Sequence, residues 1–253
     1  MTNADRFLGR AHAYAAARPD YPEALGAWLR DSGLLERGVA DVGAGTGLFT
    51  QLLLAHGARV DAVEPNPEMR AELESSLQDA VNAGQLRVHA GTSEGTGLET
   101  ASVGLVTAAQ AAHWFAPAPT VAEFRRVLKP GGRVLLVWND WRGEDTPLNH
   151  AYGEVVRKHS DVSTPEAVSR VPDAELAGLL PGGYAQRTFE NAARLSRERL
   201  HALAGSVSYL PAPGSPGAPA LARDLDALFD AHAQAGQVTL RYGTHAYLGR
   251  LDG

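Results

Sequence analysis

The feature that most constrains this chain is a strict alternation in its first 140 residues. Short apolar runs are each followed by a stretch with apolar residues at helical spacing. Val39–Val42, Arg59–Val63, Leu86–His89, Val103–Ala108 and Arg133–Trp138 are the strand-like runs. They are nearly continuous in apolar residues rather than alternating, as expected of strands buried on both faces of a parallel sheet. Between them, Leu48–His56 is apolar at helical spacing and stops at Gly57. Asn66 is placed to cap a helix beginning at Pro67, with Gly84 near its end. Val121, Phe124, Val127 and Leu128 give a helical core face that Pro130-Gly131-Gly132 should end. A further helix is expected at about Glu23–Leu35. Such alternation predicts a doubly wound α/β sheet.

Beyond residue 140 the pattern loosens. Thr146 and Pro147 predict the start of a helix over Leu148–His159, and Pro172–Leu180 and Leu221–Ala235 are also helical in pattern. Ser196 should cap a helix over Arg197–Ala204. Ala185–Phe189 reads as a strand, and Val238–Tyr242 alternates like a strand at an exposed edge. Tyr209–Pro219, rich in proline and glycine, reads as a surface loop or lid.

Composition narrows the classes. The 253 residues suffice for one large α/β domain with a substantial core. A net charge of −6 argues against a nucleic-acid surface. No run approaches the length of a membrane helix, and the N-terminus lacks a signal-peptide pattern, so no membrane association and a cytoplasmic location are expected. Without cysteine there is no disulfide or thiolate chemistry, and the histidines lack metal-ligand spacing. Oligomeric state is not legible.

Chemistry concentrates after the first strand. Gly43-Ala-Gly45-Thr-Gly47 joins it to a helix, where glycine admits a ligand close to backbone and helix N–H groups offer hydrogen bonds. The pattern alone also fits tight strand-to-helix packing. Its spacing departs from the dinucleotide fingerprint, which needs glycine where Leu48 stands, and this disfavours pyrophosphate. Glu64 ends the second strand, 21 residues after Gly43, where a carboxylate can accept from ribose hydroxyls; a solvated charge is the plainer alternative.

Together with Val39–Gly47 and Val63–Met69, the segments Gly91–Glu94, Val106–Phe115 and Arg126–Gly132 resemble the successive motifs of class I S-adenosylmethionine-dependent methyltransferases, type 11 group. Ala11–Pro22 and Ala109–Phe115 are similar to the branch containing trans-aconitate and cantharidin methyltransferases. The resemblance implies a doubly wound, mostly parallel seven-stranded Rossmann-like sheet. It also implies a cofactor-covering segment (1–35), a cofactor-binding core (36–140) and a helical substrate-covering region (141–253) of the same domain. S-adenosylmethionine would be the cofactor. Gly43, Gly45 and Gly47 would surround its methionine portion, Glu64 its ribose, and Pro65 its adenine. Thr92, Ser93 and Glu94 would meet the adenine edge, although many relatives have Asp-Ala where Thr92-Ser93 stands. Gln110 would lie near the methionine end, while Tyr14 and Arg18 would fold over the cofactor, Arg18 towards its carboxylate.

The implied activity is methyl transfer to a small, oxygen-bearing and anionic acceptor, methylated on a carboxylate or hydroxyl. His113 is the candidate catalytic residue, as base for a hydroxyl or donor to a carboxylate, against a packing role beside Trp114 and Phe115. Asp140, Trp141 and Arg142 could line the acceptor pocket. Two alternatives remain at this stage. One is a cofactor-binding cyclase or regulator without methyl transfer, and the other is a dehydrogenase.

Overall fold

The computed structural model describes residues 18–141, 145–160, 173–207 and 209–252. Seven strands form a single sheet in the order β3-β2-β1-β4-β5-β7-β6. They are β1 (Val39–Val42), β2 (Val60–Val63), β3 (Leu86–His89), β4 (Val103–Ala109), β5 (Leu128–Asp140), β6 (Tyr184–Leu195) and β7 (Val238–Gly249). The first five run parallel, and β7 and β6 close the sheet antiparallel. The mostly parallel seven-stranded sheet is therefore as expected.

Helices cover both faces. They are α1 (Glu23–Asp31), α2 (Leu48–Ala55), α3 (Pro67–Ser76), α4 (Gln78–Asn82), α5 (Pro117–Val127), α6 (Pro147–His159), α7 (Asp173–Leu179), α8 (Arg197–Gly205) and α9 (Ala218–His232). Successive residues of a strand point to opposite faces, so Val39, Val60 and Leu135 join Leu25, Phe49 and Leu53 on one side. Ala40, Val106 and Leu136 meet Phe124, Val127 and Leu176 on the other. Burying one such large apolar side chain contributes roughly 1.5–3 kcal/mol. A third cluster lies among α6, α8, α9 and the start of β7, around Tyr152, Leu200, Leu225 and Tyr242.

Local signals explain most boundaries. Asn66 Oδ1 accepts from the backbone N–H of Glu68 (2.9 Å) and Met69 (3.1 Å), as the Asn-Pro start predicts. Thr146 Oγ1 accepts from Asn149 N (3.1 Å) and Ser196 Oγ from Arg199 N (3.3 Å). Helix α1 stops at Asp31, short of the expected Leu35, because the N–H groups of Ser32, Gly33 and Leu34 fold back onto carbonyls at Trp28, Arg30 and Leu29.

One expectation needs correction and one needs extending. The Pro130-Gly131-Gly132 stretch does not simply end a helix but lies inside β5. Val103 pairs with Leu128 and Leu105 already with Arg133, so the intervening residues bulge out of the ladder. The edge reading of Val238–Tyr242 holds for those residues but does not extend to the rest of β7. Its residues 243–249 are flanked by β5 and β6, whereas 238–242 pair with β6 alone. The alternation seen over 238–242 belongs to that overhang, and β6 forms the edge.

Among the described residues, no helix is long and apolar enough to cross a membrane.

Candidate functional site

Strand order reverses between β1 and β4, which leave the sheet towards opposite sides. The crevice beyond their carboxyl ends is where an open α/β sheet has room for a ligand. A cavity of about 520 Å³ lies there, lined by the loops after β1, β2, β3 and β4, by Asn139 at the end of β5 and by Arg18, Pro19 and Tyr21 ahead of α1.

The loop from β1 into α2 is pinned by its first two residues, since Gly43 N and Ala44 N both donate to Val63 O (2.8 and 3.2 Å). All three of its glycines have positive φ, a conformation that costs other residues strain. Their surroundings differ. A Cβ on Gly43 would sit 2.6 Å from the Ala111 Cβ, so that glycine is demanded by packing. A Cβ on Gly45 would meet nothing within 4 Å, and Gly45 lines the cavity. Next to it, the buried Thr46 Oγ1 has no hydrogen-bond partner among the described residues.

Glu64 leaves β2 facing this loop. Its Oε2 accepts from Gly45 N and its Oε1 from Asn66 N, both at 2.9 Å. Arg70 Nη1 donates to the carbonyls of Glu64 and Pro65 at 2.8 Å, holding the strand end. Burial raises the Glu64 pKa, against the opposing pull of those two N–H groups and Arg70. Each carboxylate oxygen keeps lone-pair capacity beyond its backbone bond.

Beneath them is Asp41, fully buried in β1 and lining the same cavity. Thr50 Oγ1 (2.7 Å) and Thr107 Oγ1 (2.9 Å) donate to its two oxygens. Burial nevertheless raises its pKa to about 6, the nearby Glu64 adding to the effect and the two threonines opposing it. Asp41, Thr46 and Asn139 were not singled out by sequence reasoning. An acid inside an apolar strand, with threonine nine residues on, was the available signal for Asp41.

The Gly91–Glu94 turn brings Thr92, Ser93 and Glu94 to the cavity. Ser93 Oγ accepts from Thr120 Oγ1 (3.0 Å). Burial opposes ionisation of Glu94, but hydrogen bonds from the Thr92 and Ser93 hydroxyls, its own N–H and the Ala116 N–H outweigh it, and its pKa falls below the ordinary value. The two hydroxyls thus serve Glu94, the carboxylate this turn presents.

Gln110 ends β4 in a left-handed backbone conformation (φ 55°), a strain of about 1–3 kcal/mol that clusters at functional sites. Its N–H donates to Val137 O (2.9 Å) and its Nε2 to Asn139 O (3.0 Å). Asn139, rather than the expected Asp140, lines the cavity; Trp141 packs edge-on against Tyr152 with centroids 5.0 Å apart. Arg142 lies outside the described residues.

Arg18 and Pro65 also line the cavity, while Tyr14 lies outside the described residues. His113 does not join the lining, although Gln110, Ala111, Trp114 and Phe115 around it do. Its ring packs on Trp114 at 4.8 Å, and its buried Nδ1 has no partner among the described residues. Burial, then the charge of Arg18, lowers its pKa to about 4, so the ring is neutral near pH 7. No cluster suited to a metal ion occurs among the described residues.

Comparisons with known proteins agree with this fold. Residues 40–136 match the family described as a methyltransferase domain. An uncharacterized methyltransferase of Mycobacterium tuberculosis is 39% identical over 164 residues, covering 63% of this chain and 64% of that protein. The match therefore spans slightly under two thirds of that relative's length. An uncharacterized methyltransferase-like protein of Schizosaccharomyces pombe is 33% identical over 204 residues, covering 78% of this chain and 75% of that protein. Among solved structures, a candidate type II methyltransferase from Anaeromyxobacter dehalogenans aligns with a TM-score of 0.65 at 26% identity, covering 93% of this chain and 98% of that one.

Proposed function

The chain belongs to the methyltransferase family, and on that premise we propose that it transfers a methyl group from S-adenosylmethionine to an oxygen of a small acceptor. The observation that carries the cofactor assignment is Glu64. It is a buried carboxylate, fixed through both oxygens by backbone N–H groups, at the cavity wall beside the open Gly45. Such a group suits two vicinal hydroxyls. The unpartnered Thr46 Oγ1 is a further group that a polar ligand would satisfy.

Charge supports the same ligand. The charged residues lining the cavity are Arg18, Asp41, Glu64 and Glu94. Three acids against one base disfavour a pyrophosphate and suit a zwitterion with an added positive charge. Arg18 is the natural partner of that ligand's carboxylate, and Glu94 of an adenine amine. Gly43 and Gln110 shape the wall near its methionine end and Pro65 offers an apolar surface to the base, whereas Gly47 does not line the cavity and packs behind the loop against Leu73 and Leu77. Tyr14 is assigned to the covering segment by resemblance alone.

When bound, the cofactor supplies a methyl group on a positively charged sulfonium. The chain's residues orient both partners and exclude water, which can itself supply much of the rate. A carboxylate acceptor attacks without losing a proton and leaves as a methyl ester. A hydroxyl acceptor must lose one, and the neutral ring of His113 is the group to take it. With its pKa near 4, His113 is available as a base throughout the physiological range.

Isotope-labelled methyl donor, offered with small carboxylic acids and alcohols or phenols, tests the proposal. Label should appear in one of these classes, and release by mild alkali identifies an ester. Hydroxyl methylation should be flat above pH 5, fall as His113 protonates near pH 4, and lose roughly a hundredfold in His113→Ala. Ester formation should keep most of its turnover in that variant. Label found only in protein or nucleic acid would overturn the proposal.

A further inference from the structure

One wall of the cavity is built from chain without regular structure. Arg18, Pro19 and Tyr21 line it immediately ahead of α1. Neither Pro19 nor Asp20 makes a backbone-to-backbone hydrogen bond among the described residues. Side chains from β5 and β6 take the carbonyls of this strap instead. Asn191 Nδ2 donates to Asp20 O at 2.8 Å, and Asn139 Nδ2 makes longer contacts of 3.5 Å to both the Pro19 and Asp20 carbonyls. Tyr21 is anchored separately, edge-on to Phe49 with ring centroids 4.8 Å apart.

The orientation of both amides is set by their neighbours. Asn139 and Thr244 face each other across β5 and β7, and the buried Thr244 Oγ1 donates to Asn139 Oδ1 at 2.5 Å. Asn191, on the edge strand β6, gives its second N–H to the same oxygen at 3.3 Å. Asn139 Oδ1 thus holds two donors, and its Nδ2 is left to face the strap. Asn191 Oδ1 accepts from Ala192 N at 2.8 Å, so a flipped amide would set two N–H groups against each other and two oxygens against each other. Asn139 lines the cavity, and its backbone carbonyl accepts from Gln110 Nε2 at 3.0 Å. The half-buried Asn191 does not line the cavity and is joined to it through Asp20 and Asn139.

We propose that Asn191 is a positioning residue for cofactor binding, latching the strap of residues 18–21 to the sheet so that Arg18, Pro19 and Tyr21 stay in place as a wall of the occupied crevice. The identity of the ligand rests on the methyl-transfer reading, whereas the latch rests on the contacts of Asn191 and Asn139. A wall hung on side-chain amides opens without breaking any hydrogen bond of the sheet ladder, so it belongs to the least stable part of the fold. Loss of the latch therefore shortens the stay of a bound ligand without removing any of its contacts.

The test compares the full-length wild type with two variants. Asn191→Asp keeps the shape and the acceptor for Ala192 N, but turns the donor into a carboxylate oxygen facing two other oxygens. Asn191→Ala deletes the amide. Stopped-flow binding of S-adenosylhomocysteine separates association from dissociation. In both variants dissociation should quicken roughly three- to tenfold, as loss of one net hydrogen bond would give, with association no slower than in wild type. NMR order parameters of the Asp20 and Tyr21 amides in the ligand-free proteins read the strap itself, and should fall in both variants while those of β1 hold. Unchanged dissociation overturns the latch, even where the melting temperature drops, because Asn191 would then serve stability alone. An affinity loss carried by slower association, or unchanged order at Asp20 and Tyr21, overturns it as well. Failure of S-adenosylhomocysteine to bind the wild type would instead overturn the cofactor assignment, and the order parameters of the free proteins would still decide whether Asn191 holds the strap.

Discussion

At the scale of single residues, Asp41 sets the character of the cavity. It is a carboxyl held in the apolar sheet by two threonine hydroxyls, and burial outweighs both in raising its pKa to about 6. The sign of the consequence follows by linkage. Its folded pKa lies above the ordinary value of 3.8, so the native state binds the extra proton and stability declines as pH rises from about 4 through about 6. Urea unfolding of Asp41→Asn should lose that part of the decline, and an identical pH dependence in wild type and variant would contradict it. Glu64 is legible in the sequence because its position 21 residues after Gly43 carries geometric meaning in a doubly wound sheet. Asp41 is not, because a single acid in an apolar run changes no periodicity. The Oγ atoms that hold it come from α2 and β4, and only the folded sheet brings them together.

Among the elements, α5 is tied to the turn that carries Thr92–Glu94. Glu123 accepts from Thr96 N (2.8 Å), Thr96 Oγ1 (2.6 Å) and both Nε and Nη2 of Arg126 (2.7 Å each). The Arg126 hydrogen bond is the largest cause holding its carboxyl down at about 2, against the effect of burial and with help from Thr96. Its folded pKa is depressed, so its contribution is fully present above about pH 4.5 and is lost as pH falls towards 2. Glu123→Gln should cost about 1–3 kcal/mol in neutral urea unfolding and much less at pH 2. An equal cost at both pH values would contradict the assignment. Elements with a local signal were the readable ones. Val39–Val42 and Leu86–His89 fall where the apolar runs put them, and α6 begins at Pro147 with Thr146 as its cap. The extent of β6 and β7 was not readable, since their pairing is with each other across a long intervening segment. Residues 243–249 lose the alternating pattern where β5 flanks them.

In the whole molecule, the sheet order places β1, β2 and β4 side by side, so that three loops far apart in sequence converge on one crevice. The C-terminal helices bury their own apolar cluster, which holds Tyr152 and Tyr242. Asp41, Glu64 and Glu94 thus gather with Arg18 around the crevice assigned to the cofactor. The most direct test of this arrangement is calorimetric titration of the wild type and Glu64→Gln with S-adenosylhomocysteine. Wild type should bind, and at a hundredfold excess over Kd its stability should rise by about 2.7 kcal/mol. Glu64→Gln, folded, should bind more weakly by ~1.5–3 kcal/mol, because it keeps an acceptor oxygen but loses the charge. No binding to the wild type at millimolar ligand, or equal affinity in the two proteins, would contradict it.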